Sequence, residues 1–448
     1  MPKQNGEKRK DKAWVVSVTM GYGHLRAANP LRGLAANGHY LFADDYEGMP
    51  ASDRTIWKDS RKLYETVSRF RIVPLVGRYV FSVLDRWQSL KAFYPQRDLS
   101  KPTFPVRQAY AFFRRGFMQH FIKMMAKEPM PLVTSFFYVA QAAEFFDYPN
   151  EIYCIICDSD MSRSWVALDP KNSRINYFAP NRRVVERLRE YGVPDKNILL
   201  TGFPLPKERI GGPEYKTLKR DLAHRLANLD TSGIYAARFG PAVQKLLGHE
   251  NYPSHNGHPL TLAFAVGGAG AQREMAVPIL RSLKTRIKDG LIKVVLVAGN
   301  RPEVAEYFES VIKQSGLASY HEKVSVLLGK DKQEYFDLFN EALRSVDILW
   351  TKPSELSFYT ALGIPIIIAP TIGSQEDFNS WWLRSIGGGI PQLDPAYCDE
   401  WLDDWLSSGW LARAAVAGFT NAPKRGTYRI EEIVTRGKSK LPEPIEPI

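Results

Sequence analysis

Four short clusters in this 448-residue chain have the residue types and spacing to do chemistry. The first is Gly21-Tyr22-Gly23-His24. An imidazole titrates near neutral pH, with an ordinary pKa of about 6.5, so at this position it can accept a proton from an attacking hydroxyl. A helix-capping or core histidine would fit the same place. The second is Gly267-Gly268-Ala269-Gly270, where glycines let a backbone approach a phosphate and a following helix offers unpaired amides. A tight turn without a ligand is the commoner meaning of a lone glycine cluster. The third is Thr351-Lys352-Pro353-Ser354-Glu355, in which Glu355 can compensate a helix dipole or accept hydrogen bonds from a ribose. The fourth is Gly373-Ser374-Gln375-Glu376-Asp377-Phe378-Asn379. An amide beside two carboxylates suits sugar hydroxyls, and also suits a loop that caps the next helix.

These clusters need a scaffold, and the hydrophobic pattern supplies one. Residues 14–19 read as a strand running into the first glycine turn, with a helix from Leu25, which is how a βαβ unit begins. Segments 131–137 and 151–157 read as buried parallel strands, 181–191 as an amphipathic helix, and 198–201 as a further strand. Residues 204–258 look like a connection with one basic helix over 215–229. Beyond it, strands at 260–266, 292–298, 324–328, 348–350 and 366–369 alternate with helices, including 274–289 and 356–362. That alternation predicts a parallel, doubly wound sheet. The expected division is a basic, disordered tail over 1–12, an acceptor-side domain over 13–205 and a connector over 206–258. A nucleotide-binding domain follows over 259–425, then a C-terminal segment over 426–448 whose Pro-rich last twelve residues are disordered.

Composition narrows the function classes. The 44% apolar content is ordinary for a globular chain, and the longest apolar runs, such as 364–369, are strand-sized and far short of the ~20 residues of a membrane helix. The basic start lacks the apolar stretch of a secretory signal. Three cysteines, two of them in Cys154-Ile-Ile-Cys157, make neither a disulfide framework nor a zinc site, which predicts a reducing cytoplasm and no metal. Without Gly-Lys-Ser/Thr there is no P-loop, and Ala298-Gly299-Asn300 lacks the acidic residue of a nicotinamide site. The net charge of +12 is uneven: residues 1–220 carry +14 and the rest −2. Within 54–127 there are 16 basic and four acidic residues, interleaved with Trp57, Phe70, Phe93, Phe113, Phe117 and Phe121 among other aromatics. Such a segment suits an anionic membrane surface or nucleic acid, or else solvated helix faces over an aromatic core.

Taken in order, the motifs resemble one family: GYGHLRAA (21–28), CDSD (157–160) followed by Trp165, YFAPN (177–181), GVPDKNILLTGFPLP (192–206), GGAG (267–270), TKPSEL (351–356) and GIP to GSQEDFN (363–379). Over residues 14–390 the chain resembles the GT-B glycosyltransferases that make monogalactosyl- or glucosyl-diacylglycerol. The peptidoglycan lipid N-acetylglucosaminyltransferase is a more distant likeness. The resemblance implies an α/β fold of two facing Rossmann-like domains, an inverting transfer of a hexose from a UDP-sugar, and no other cofactor. It also implies a lipid or lipid-linked acceptor met by the N-terminal domain at the membrane surface, here on its cytoplasmic face, with no nucleic acid. By the same resemblance His24, with Gly21 and Gly23, lies in the acceptor loop, and His24 or Asp158 takes the acceptor proton. Gly267, Gly268 and Gly270 match the diphosphate loop, and Gln375, Glu376 and Asn379 the donor-hexose loop. Ser354 and Glu355 fall near the ribose site, although a gap-free alignment puts Thr360 on the family's ribose-binding glutamate. Two rival readings stand beside this one: a non-catalytic nucleotide-sugar-binding protein, and a nucleic-acid-binding protein, for which no recognition motif is present.

Overall fold

The computed structural model describes residues 11–70, 90–254, 258–267, 270–371 and 373–444. Contacts divide the chain into two units. The first comprises residues up to Leu205, the short stretch Gly373–Phe378 and the C-terminal segment from Arg425; the second holds Pro206–Ile372 and Asn379–Lys424.

The first unit is built on six parallel strands: β1 (Trp14–Ser17), β2 (Leu41–Phe42), β3 (Leu132–Thr134), β4 (Ile152–Ile155), β5 (Ile175–Ala179) and β6 (Ile198–Leu200). Their order is β2-β1-β3-β4-β5-β6. Every side chain of β3 and β4 is buried, which is why those runs are apolar throughout rather than alternating. The helix Arg182–Glu190 begins where Asn181 Oδ1 accepts from the Val184 amide at 2.8 Å, an N-cap that ties up one of the first turn's unpaired donors. The C-terminal helix Gly426–Arg436 also belongs here. Gly426 lies so close to the Phe203 carbonyl that a Cβ would come within 2.2 Å of its oxygen, and Thr427 Oγ1 donates to Leu205 O at 2.6 Å. Part of the stretch expected to be disordered is held beyond it, and residues 445–448 lie outside the described residues. Arg429 donates to the carbonyls of Leu441 and Pro442, and Glu432 accepts from Ser439 Oγ and the Lys440 amide. The basic tail 1–10 lies outside the described residues.

The second unit has a matching sheet: β7 (Leu260–Ala265), β8 (Ile292–Gly299), β9 (Val324–Leu328), β10 (Ile348–Thr351), β11 (Ile366–Ile368) and β12 (Gly389–Pro391). All are parallel, in the order β12-β11-β10-β7-β8-β9. Numbered from β7, this is the 3-2-1-4-5-6 arrangement of dinucleotide-binding sheets. The expected α/β class of two Rossmann-like domains, the make-up of GT-B proteins, is therefore what the chain adopts.

The strands β2, β5 and β12 are unexpected, and three helical stretches also differ from expectation. The connector contains a second helix, Ile234–Leu247, with Pro241 inside it. The helix expected over 274–289 is a 3₁₀ turn followed by two helices, Ala276–Ser282 and Lys284–Lys288, broken at Leu283 where ψ reaches 2°. The helix after β10 is an eight-residue 3₁₀ helix, Glu355–Leu362, buried from Leu356 onward. It is pressed against the helix Trp410–Asn421, where a Cβ on Gly418 would lie 2.6 Å from the Thr360 carbonyl oxygen. Backbone cannot swing aside as a side chain can. Gly418→Ala is therefore expected to lower stability by about 1–3 kcal/mol, the usual range for overpacking. Gly240→Ala meets nothing beyond its chain neighbours and gains helix propensity, but its methyl crowds the ring of the following Pro241; the two effects oppose each other, so stability should shift by less than about 1 kcal/mol. Thermal denaturation of the two variants measures both.

Candidate functional site

In each parallel sheet the connections reverse direction beside the first strand, and open α/β sheets bind ligands at that point, outside the carboxyl ends of the strands. In the first unit the point lies between β1 and β3. The loop after β1 turns at Gly21, in the left-handed region at φ +71°, and leads into the helix Gly23–Ala28. His24 is the second residue of that helix and is half-buried. The N-cap position is Tyr22, which makes no side-chain cap, so His24 is not a capping histidine. Its Nδ1 lies 2.6 Å from the Ser135 carbonyl oxygen, at the end of β3. A carbonyl can only accept, so this contact places the proton on Nδ1 and leaves Nε2 with the basic lone pair. The ring is also held by the edge of Phe136 (5.0 Å, 88°) and by Trp165 (5.9 Å). From the end of β4, Cys157 Sγ approaches Nδ1 to 3.7 Å. Three adjacent strands thus fix one imidazole.

Asp158 follows Cys157 directly and is half-buried at the same strand ends. The other carboxylate of that motif is committed elsewhere. Asp160 is fully buried and accepts from Arg187 Nε and Nη2 at 2.8 and 2.9 Å and from Arg183 Nε at 2.8 Å. Burial opposes the Arg187 charge, but the hydrogen bonds and charge of Asp160 outweigh it and hold the guanidinium above its ordinary value. At the end of β2, Asp44 accepts from both the amide and the hydroxyl of Thr19, at 2.8 and 2.6 Å, and so pins the loop that leads to Gly21.

In the second unit the point lies between β7 and β10. Thr351 pairs with Ala265 across the two strands and its Oγ1 donates to the Ala265 carbonyl at 3.0 Å. That register sets Lys352 beside Gly267. A Cβ on Gly267 would sit 2.5 Å from Lys352 Cε and 3.4 Å from Nζ, so the missing side chain is what lets the lysine lie across the loop. Gly270 closes the turn through its amide to the Gly267 carbonyl (2.7 Å), with φ +66°. Gln272 Nε2 anchors the far side to Pro370 O at 2.7 Å. Gly268 lies outside the described residues. The long helix expected directly after the turn starts only at Ala276, beyond a 3₁₀ turn, so its free amides do not adjoin Gly270. The positive charge at this loop comes from Lys352 instead, a residue that the pattern of glycines alone does not single out.

Ser354 precedes the 3₁₀ helix without capping it, and Glu355 is half-buried in the first turn. Thr360 is fully buried, with Oγ1 donating to Gly388 O at 3.1 Å, so it is turned away from any ligand. Asn379 is fully buried too, and its Nδ2 donates to Pro353 O at 3.4 Å, bracing the 351–355 loop. Gln375 and Glu376 are half-buried on the first turn of the same helix, Ser374–Ser385, through which the division between the units passes. Gly21, Gly23, His24 and Asp158 thus share one set of strand ends, and Gly267, Gly270, Ser354, Glu355 and Asn379 another. Ser135, Cys157 and Lys352 join them from the structure. Among the described residues no three His, Cys, Asp or Glu side chains are grouped to hold a metal ion.

The basic segment is clearer in part. Arg54, Lys58, Arg107, Arg114, Arg115, Lys123 and Lys127 are exposed on the helices Ala51–Phe70, Phe104–Arg114 and Gln119–Ala126 and just after them. The interleaved aromatics Trp57, Phe113, Phe117 and Phe121 are buried, with Trp57 packed on Phe117 and Phe136. They form core beneath a cationic surface. Residues 71–89 lie outside the described residues.

A family described as "Domain of unknown function (DUF6938)" matches residues 252–396, a stretch that runs from just before β7 to just past β12. No curated protein matches the chain. Among solved structures, the chain is similar to S. aureus MnaA in complex with UDP (TM-score 0.47, 11% identity, 94% of this chain and 95% of that one). It is similar also to Acinetobacter baumannii MurG (0.45, 13%, 74% and 78%) and to a putative UDP-N-acetylglucosamine 2-epimerase from Listeria monocytogenes (0.45, 12%, 79% and 85%).

Proposed function

We propose that this chain is an inverting glycosyltransferase that moves a hexose from a UDP-sugar to a lipid or lipid-linked acceptor at the cytoplasmic face of a membrane. One observation carries the reading: the two ligand-binding sheet ends of the same chain bear complementary chemistry. One presents an imidazole whose tautomer is fixed by the Ser135 carbonyl; the other presents a glycine turn crossed by Lys352. In a single displacement the acceptor oxygen attacks the anomeric carbon as the bond to the UDP oxygen breaks. The hydroxyl proton passes to Nε2 of His24, and the resulting imidazolium keeps its Nδ1–H on Ser135 O. The leaving diphosphate gains charge as it departs, and Lys352 with the loop amides meets that charge. In this reading Glu355 accepts from the ribose, and Gln375 and Glu376 serve the hexose.

The exposed lysines and arginines of 54–127 support the membrane surface as the place where the acceptor is met, each contributing about 1 kcal/mol near anionic lipid. Binding to vesicles should therefore rise with phosphatidylglycerol content and fall with salt; tight DNA binding without vesicle binding would support the nucleic-acid reading instead. The decisive experiment is calorimetric titration with UDP and UDP-sugars, followed by addition of diacylglycerol and membrane lipids with UDP release as the readout. UDP binding and lipid-dependent release are expected. Binding without release on any acceptor would identify a non-catalytic nucleotide-sugar-binding protein, and no binding would refute the assignment.

A further inference from the structure

The second unit carries an apolar and cationic surface that the transfer chemistry does not use. It lies between the helix Ile234–Leu247 and the start of the helix Trp410–Asn421, where a groove of about 470 Å³ opens to solvent. Three large apolar side chains stand out of it: Ile234 is 56% exposed, Trp410 50% and Phe239 39%. Leaving three such groups in water together is costly unless something covers them. Two arginines, Arg238 and Arg413, share the lining and are exposed; among the described residues the lining itself holds no carboxylate. The Arg238 guanidinium lies 5.2 Å from the Phe239 ring centre, and Phe239 packs on Tyr235 at 5.0 Å.

The patch is rigidly backed. Asp230 accepts from the Tyr235 and Ala236 amides at 3.0 and 2.7 Å, which occupies its carboxylate as a helix cap. Ser232 Oγ donates to Ser407 O at 2.5 Å, tying the turn before the helix Ile234–Leu247 to the end of the helix Cys398–Ser407, while Trp410 is supported by Trp405, 6.3 Å away. On the adjoining helix Cys398–Ser407, Asp403 is paired with Arg286 at 2.7 Å.

We propose that this groove docks on an anionic phospholipid bilayer, with Trp410, Phe239 and Ile234 entering the boundary between headgroups and acyl chains and Arg238 and Arg413 pairing with lipid phosphates. The composition argues for that occupant. Tryptophan and arginine have apolar bodies and polar or charged ends, so both are satisfied where a bilayer changes from hydrocarbon to charge. A second copy related by a two-fold axis would instead bring the arginines of one patch against those of the other. Among the described residues no helix is long and apolar enough to cross a membrane, so this docking is peripheral. It is separate from the basic helices of the first unit and stands whether or not the chain transfers sugar.

The test uses the full chain with vesicles of phosphatidylglycerol and phosphatidylcholine in equal parts, vesicles of phosphatidylcholine alone, and the same mixtures made with bromine-labelled acyl chains. The chain has ten tryptophans, so Trp410 is read as the fluorescence difference between the parent and Trp410→Phe. Expected results are bromine quenching of the Trp410 signal on anionic vesicles only. Arg238→Gln/Arg413→Gln should partition about thirtyfold more weakly, at an unchanged melting temperature. Vesicle-bound protein with an unquenched Trp410, a double variant that binds like the parent, or no vesicle binding at all would each overturn the proposal. So would a vesicle-free dimer that Trp410→Ala dissociates, since the occupant would then be a second copy.

Discussion

Replacing His24 by alanine is expected to lower turnover by roughly 10²–10⁴-fold, the usual contribution of a positioned general base, and to leave UDP affinity near that of the parent. The split follows from the architecture: His24 belongs to the first unit and the glycine–lysine loop to the second. Asp158, half-buried at the same strand ends, is the competing candidate for the base. Near-parent turnover in His24→Ala beside an inactive Asp158→Asn would move the role to the aspartate. Near-parent turnover in both would remove the mechanism.

Lys352→Met should weaken UDP binding by about 10–100-fold while hardly touching the affinity for uridine. A hydrogen bond to a charged group contributes about 1.5–3 kcal/mol, and uridine offers no phosphate to receive it. Gly267→Ala should act in the same direction without removing the charge, since its methyl would displace Lys352 Cε, 2.5 Å away, from its path across the loop. The calorimetric comparison of UDP with uridine separates this from a general loss of the fold. If UDP binds both variants as it binds the parent, the loop does not hold a diphosphate.

The residues that failed to announce themselves share a physical cause. The strands β3, β4, β7, β8, β10 and β11 were legible because each is a buried apolar run bounded by turn residues. β2 has two residues and β12 is Gly-Ile-Pro, too little pattern for any period to appear. Residues 204–258 read as a connection with a single helix, yet the helix Ile234–Leu247 forms there with Pro241 inside it, a residue that ordinarily ends helical patterns. The 3₁₀ helix Glu355–Leu362 packs closely on Gly418, which is 56 positions further along the chain than Leu362 and so lies outside any local pattern. At the candidate sites, His24 and the glycines were visible as types. Ser135 acts through a backbone carbonyl, which every residue has, and Lys352 matters only because strand register puts it beside Gly267. Aromatics among the basic residues of 54–127 were visible as well, but only burial shows that Trp57, Phe113, Phe117 and Phe121 are core.

The return of the helix Gly426–Arg436 to the first unit makes the second unit, in chain terms, an insertion within the first. A ribosome therefore releases the first unit in separated portions, the closing helix following Leu205 by roughly 220 residues, which takes on the order of ten to forty seconds at ordinary synthesis rates. Through that interval the sites around the Phe203 and Leu205 carbonyls wait for the helix that closes on them. A stop codon after residue 424 would spare every candidate catalytic and donor residue, and would still leave the nascent first unit permanently without its closing helix.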